Sequence, residues 1–102
     1  MSLDQHFVET SEAILAQLGF KDIKSFVKNQ ALLLMLAKID KYQTEDRLFE
    51  NKYKVNFEEF EEKIKKLRND EVFEQEDDYL DWRYARESLE RLKKQKQAIE
   101  NA

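Results

Sequence analysis

Apolar residues recur at three- and four-residue steps along nearly the whole chain, and four stretches of that period predict four helices. In the first, Leu3, Phe7, Ile14, Leu15 and Leu18 make one stripe, giving a helix from about Ser2 or Asp4 to Leu18. Gly19, the only glycine, stands where a left-handed residue would end it. The second begins after Asp22 or Ser25, either of which can cap it. Its apolar set runs through Ile23, Phe26 and Val27 into Ala31-Leu32-Leu33-Leu34-Met35-Leu36-Ala37, then narrows to Ile39, Tyr42, Phe49 and Tyr53. A helix apolar on every side is buried on every side, so residues 31–37 are expected at the centre of the core. Nothing between Ile23 and Tyr53 breaks a helix, and an unbroken one would be roughly 45 Å long. That is more than a chain of this size needs, so its far end is expected to bend or to extend into a dimer.

The third stretch carries the clearest local signature. Asn56 is an N-cap, Glu59 completes a capping box, and Val55 with Phe60 makes a hydrophobic staple. Phe57, Phe60, Ile64 and Leu67 follow as a strict stripe, with Asn69 and Asp70 at its end. The fourth helix is expected to start between Asn69 and Gln75 and to run to about Ile99. Tyr79, Trp82, Ala85, Leu89, Leu92 and Ile99 form its stripe, with Lys96 interrupting the far end. The pattern gives an all-α fold in a single domain, residues 1–102. Its two long helices lie at about 23–53 and 72–99, with two shorter ones packed on them.

Composition agrees. One glycine and no proline in 102 residues leave almost no turn chemistry for a β fold. The absence of cysteine excludes disulfides, thiolate nucleophiles and cysteine zinc sites and fits a reducing, cytoplasmic setting. The N-terminal residues have no signal-peptide pattern. The longest apolar run, seven residues, is far short of a membrane span. A formal charge of −4 disfavours direct nucleic-acid binding.

Charge then singles out one region. Seven of the twelve residues from Asp70 to Asp81 are acidic and none is basic. On a helix Glu74 stands over Asp78 and Asp77 over Asp81, and like charges four apart repel by a few tenths of a kcal/mol. A helix N-terminus, a basic element of the same fold, a metal ion or a basic partner must compensate. Lys63, Lys65, Lys66 and Arg68 could do so from within the fold. Leu80 and Tyr84 fall off the core stripe, and acids mixed with such residues suit a basic partner, charges steering and aromatics anchoring. Tyr42 and Asp46 are also out of pattern. A buried Asp is costly unless paired, so Asp46 is expected to meet an arginine or to lie at a dimer edge.

There is no GxGxxG, P-loop, HExxH or EF-hand motif. The only histidine, His6, is expected on the surface. The strongest enzymatic pattern is carboxylate spacing: Glu58, Glu59 and Glu62 read EExxE, and Glu74 with Asp77 reads ExxD. Such acids on facing helices can hold Mg²⁺. The pattern resembles the metal motif of all-α nucleotide pyrophosphohydrolases, though its spacer is shorter. It requires Glu62 to reach Glu74 or Asp77. Helix three also explains its acids without a metal, since Glu59–Lys63, Glu61–Lys65 and Glu62–Lys66 are favourable i,i+4 pairs.

The segments Leu36-Ala37-Lys38-Ile39-Asp40-Lys41-Tyr42 and Glu76-Asp77-Asp78-Tyr79-Leu80-Asp81-Trp82, with Phe49, Tyr53 and Phe57-Glu58-Glu59-Phe60-Glu61 between them, carry a further resemblance. The chain resembles small acidic all-helical antitoxin-like proteins of archaeal and cyanobacterial toxin–antitoxin pairs. That resemblance implies a non-enzymatic protein that neutralises a small basic partner, and it supplies no catalytic residues. The expected partner-binding residues are Glu74, Asp77, Asp78, Leu80, Asp81, Tyr84, Tyr42 and Asp46, with no cofactor. A homodimer is expected because the long helices outrun the core that one chain can build. The alternatives are the Mg²⁺-dependent hydrolase and a purely structural helical oligomer.

Overall fold

The computed structural model describes residues 3–67 and 73–102. It contains four helices: α1 (Gln5–Gln17), α2 (Ile23–Tyr53), α3 (Phe57–Lys66) and α4 (Phe73–Glu100). The all-α fold with two long and two short helices is the one the apolar period predicts. Ser2, Arg68, Asn69, Asp70, Glu71 and Val72, which figure in the expected boundaries and charge runs, lie outside the described residues.

Local chemistry sets the helix ends. The Asp4 side chain accepts from the Phe7 N–H and opens α1. At the other end Gly19 adopts φ 91°, the Phe20 N–H reaches the Leu15 carbonyl at 2.9 Å, and the Gly19 N–H reaches that of Ala16 at 3.2 Å. This is the paired 6→1 and 5→2 closure that a left-handed glycine permits. Asp22, rather than Ser25, caps α2. It accepts from the Ser25 N–H at 2.8 Å, and that bond holds its carboxyl below the ordinary range. Asn56 caps α3 by accepting from the Glu59 N–H at 2.9 Å. Between α2 and α3 the chain turns at Lys54, which takes the left-handed conformation, φ 61°, without being glycine. Its N–H closes α2 on the Glu50 carbonyl at 2.7 Å.

The two long helices run antiparallel, as side-chain pairs along them show. Lys52 meets Glu74 and Asp78, Asp46 meets Trp82, Tyr42 meets Tyr84, and at the far end Lys28 reaches the Ala102 carbonyl. The result is a rod of 65 × 27 × 21 Å. α3 folds back across the α2–α4 pair at the end where they carry aromatics. α1 lies against the opposite end, on the first turns of α2.

Burial departs from the expectation in one respect. No residue from Ala31 to Ala37 is buried, and Leu33 and Leu34 leave 56% and 70% of their surface open. The core centre lies elsewhere. Phe57, Phe60 and the fully enclosed Trp82 form one cluster, lined by Phe49, Tyr53, Val55, Ile64 and Tyr79. Ile39, Tyr42, Ala85 and Leu89 continue it between α2 and α4. The reason is geometric. A helix apolar all round needs neighbours all round, and beside residues 31–37 the chain supplies only α4 on one side.

Candidate functional site

The aromatic cluster positions everything around residues 73–86. Trp82 stacks on Phe49 at 5.5 Å and meets Phe57 edge-on at 5.5 Å, while Tyr53 stacks on Phe60 at 4.3 Å. Ring pairs of this kind contribute about 0.5–1.5 kcal/mol each beyond their area. They bring three helices to one junction and fix the rotation of α4. Once Trp82, Ala85 and Leu89 face inward, the rest of α4 has no choice of face.

Three acids of the expected site are consumed by that junction. Asp46 accepts the Trp82 indole N–H at 2.7 Å and lies 3.5 Å from the Arg86 guanidinium, so the out-of-pattern acid does meet an arginine. Arg86 also binds Glu58 at 3.0 Å, tying α2, α3 and α4 together. Asp78 accepts from Lys52 at 2.6 Å and from the Tyr53 hydroxyl. Burial pushes the Asp78 carboxyl up, but the hydrogen bonds from Lys52 and Tyr53 outweigh it and hold the group below its ordinary value. Tyr53, half-buried and donating to that carboxylate, is pushed up to about 12 by burial and by the Asp78 charge. Glu74 shares Lys52 at 2.7 Å. Part of the acidic run is thus neutralised within the fold. Among the described residues the cation is Lys52 of α2, and no α3 lysine pairs with Glu74 or Asp78.

The pairing expected within α3 is also rearranged. Glu61 accepts from the Tyr79 hydroxyl at 2.7 Å, and Lys65 stands 3.8 Å from both Glu61 and Glu62. Glu58 looks across to α4. Neither Glu59–Lys63 nor Glu62–Lys66 forms an ion pair among the described residues. As for the metal pattern, no three acidic or histidine side chains converge at metal-holding distance among the described residues. Glu58 faces Arg86 and Glu74 faces Lys52, so the set Glu58, Glu59, Glu62, Glu74 and Asp77 is not gathered at one point.

The remaining expected residues do share a face. Phe73, Asp77, Leu80, Asp81 and Tyr84 follow one another at steps of four, three or one, and they lie along one flank of α4. All are exposed, Phe73 by 76%, Leu80 by 57% and Tyr84 by 58%. No basic group lies within 4 Å of Asp77 or Asp81 among the described residues. Tyr84 meets Tyr42 of α2 edge-to-face at 5.9 Å. Between this flank and α2 runs a groove of about 470 Å³, walled on the α4 side by Asp81 and Tyr84 and on the α2 side by Lys41, Tyr42, Glu45 and Leu48. Lys41, Glu45 and Leu48 were not anticipated. A signal for them exists in the spacing: Lys41, Glu45 and Leu48 stand four and three apart, beside the Tyr42–Phe49 core line and not on it.

No helix among the described residues is long and apolar enough to cross a membrane. No family model, curated protein or solved structure matches this chain.

Proposed function

We propose that this chain is a non-enzymatic binding protein of the antitoxin-like kind, which captures a small basic protein on the flank of α4. One observation carries the reading. After the fold has used Asp46, Glu74 and Asp78 for its own ion pairs, Asp77 and Asp81 form no ion pair among the described residues and stand interleaved with exposed Phe73, Leu80 and Tyr84. Exposed acids steer a basic partner and speed its association. Aromatic and aliphatic side chains between them anchor it once water is expelled. The adjoining groove offers room for one or two side chains of that partner. The expected site therefore contracts to Asp77, Leu80, Asp81 and Tyr84, with Phe73 added and Tyr42 as a supporting wall. Asp46, Glu74 and Asp78 serve the scaffold.

The test uses the tagged full chain, purified from its host at moderate salt, beside a variant carrying Asp77→Lys and Asp81→Lys. The wild type is expected to retain one small basic protein at near-stoichiometric yield. The variant is expected to lose it while melting at an unchanged temperature, because neither acid supports the fold. Retention by the double variant, or no basic partner on the wild type, would overturn the reading. Toxicity of the captured protein when expressed alone would make the antitoxin role specific.

A further inference from the structure

The α1–α2 end of the rod carries a second surface, unlike the acidic flank in every respect. α1 sits on α2 without closing against it. Leu3, Phe7, Ile14, Ile23, Phe26 and Val27 line an open groove of about 410 Å³ whose lining contains no ionisable group. Leu33 and Leu34 stand seven residues beyond Phe26 and Val27, so they continue the same face of α2 two turns on, roughly 10 Å away. The same face therefore carries a hollow and, beside it, a ridge.

We infer that this face is the contact between two copies of the chain, packed about a twofold axis so that the Leu33–Leu34 ridge of each copy enters the α1–α2 groove of the other. A twofold contact pairs one patch with itself, and it needs each feature and its complement on the same surface. This patch has both. The area agrees. Leu3, Phe7, Ile14, Leu18, Val27, Leu33 and Leu34 are each more than half exposed. At on the order of 100 Å² apiece they offer roughly 700 Å², within the range each partner contributes to a standard stable interface. The groove lining is uncharged, so nothing in it selects a foreign partner by opposite sign. A protein of this size rarely leaves so large an apolar patch open to water. The inference does not rest on the partner reading, since it uses none of the residues of the acidic flank.

Two measurements on the full chain test it. In sedimentation equilibrium at tens of micromolar, the 12.4 kDa chain is expected at twice its mass. Leu34→Glu is expected to weaken self-association by roughly 30-fold or more, as a charge buried at an interface centre does. Leu34 is exposed in the single chain, so the variant should keep its helical circular dichroism. The chain has no cysteine, which allows a second test by mild oxidation. Leu33→Cys or Leu34→Cys should be captured by a second cysteine placed at Ile14 or Val27, giving a covalent dimer. Phe73→Cys, exposed at the opposite end, should give none with the same partners. A monomeric wild type overturns the proposal, as does a dimer that Leu34→Glu leaves intact. So does a monomer whose apolar face is protected instead by anionic vesicles or by a different protein.

Discussion

The two ends of this rod invert the usual relation between hydrophobicity and burial. Residues 31–37 form the most apolar segment of the chain, yet none of them is buried. Residues 53–60 and 79–89 mix aromatics with acids, amides and arginines, and they contain Phe57, Phe60, Trp82, Ala85, Ser88 and Leu89, all buried. What separates the ends is the number of helices that meet. Three converge on Trp82, and wide rings from each span the gaps between helix axes. At the other end a long helix has α4 on one side and a loosely seated α1 on another. Burial follows from neighbours, and a residue's own apolarity states only a demand for them.

The largest break in that comparison should come from Trp82→Ala. Emptying the junction is expected to cost about 3–5 kcal/mol, enough to lower the melting midpoint by more than 10 °C. Leu34→Ala, measured at concentrations dilute enough to keep the chain monomeric, should move it by less than about 0.5 kcal/mol. Thermal melts by circular dichroism decide between these outcomes. Comparable losses from the two variants would mean that the leucine end is as well packed as the aromatic one.

A smaller effect should sharpen the picture of the junction. Asp46→Ala leaves the Trp82 indole N–H without its acceptor and removes one of two carboxylates from Arg86. The expected cost is about 1–3 kcal/mol, from urea titration. Asp77→Ala, on the flank of the same helix system, should cost almost nothing. An equal loss at Asp77 would place that acid in the scaffold.

The smallest and most specific effect is a pH dependence confined to the aromatic end. Asp78 titrates below its ordinary value in the fold, so its contribution is fully present above the unfolded value near 3.8 and fades as pH falls through the lower folded one. Asp78→Asn should flatten the acid limb of a stability curve below pH 4. Tyr53 is shifted the other way, from 10 to about 12, so its contribution holds below pH 10 and is lost between 10 and 12. In an alkaline absorbance titration, Tyr53→Phe should remove a tyrosine step near pH 12. A step near 12 that survives in the variant would show that the Tyr53–Asp78 contact does not persist in solution.

The helices were legible because their ends are local. Asp22, Asn56 and Gly19 each act within four residues, and a three-to-four period needs no knowledge of what covers the stripe. Asp46 stood out as an acid on an apolar line, and arginine was the partner its burial demanded. Which arginine, and the sharing of that carboxylate with Trp82, depended on a helix 36 to 40 residues away. Among the described residues of the acidic run, no acid pairs with a neighbour in sequence. That Lys52 would divide it, taking Glu74 and Asp78 and leaving Asp77 and Asp81, follows from the antiparallel register of α2 and α4. No local pattern encodes that register. The exposure of Leu33 and Leu34 was missed for the same reason: period tells which side of a helix is apolar and not whether another element arrives there.

The enclosure of Trp82 has a spectroscopic consequence. It is the only tryptophan, it is fully buried, and from α4 its ring touches residues of both α2 and α3. Its emission therefore reports the joining of three helices in a single signal and says nothing of α1. Far-ultraviolet dichroism weighs all four helices alike. Unfolding curves recorded by the two probes coincide only if the ends melt as one unit. Any gap between them measures directly how far the leucine end can loosen while the aromatic end holds.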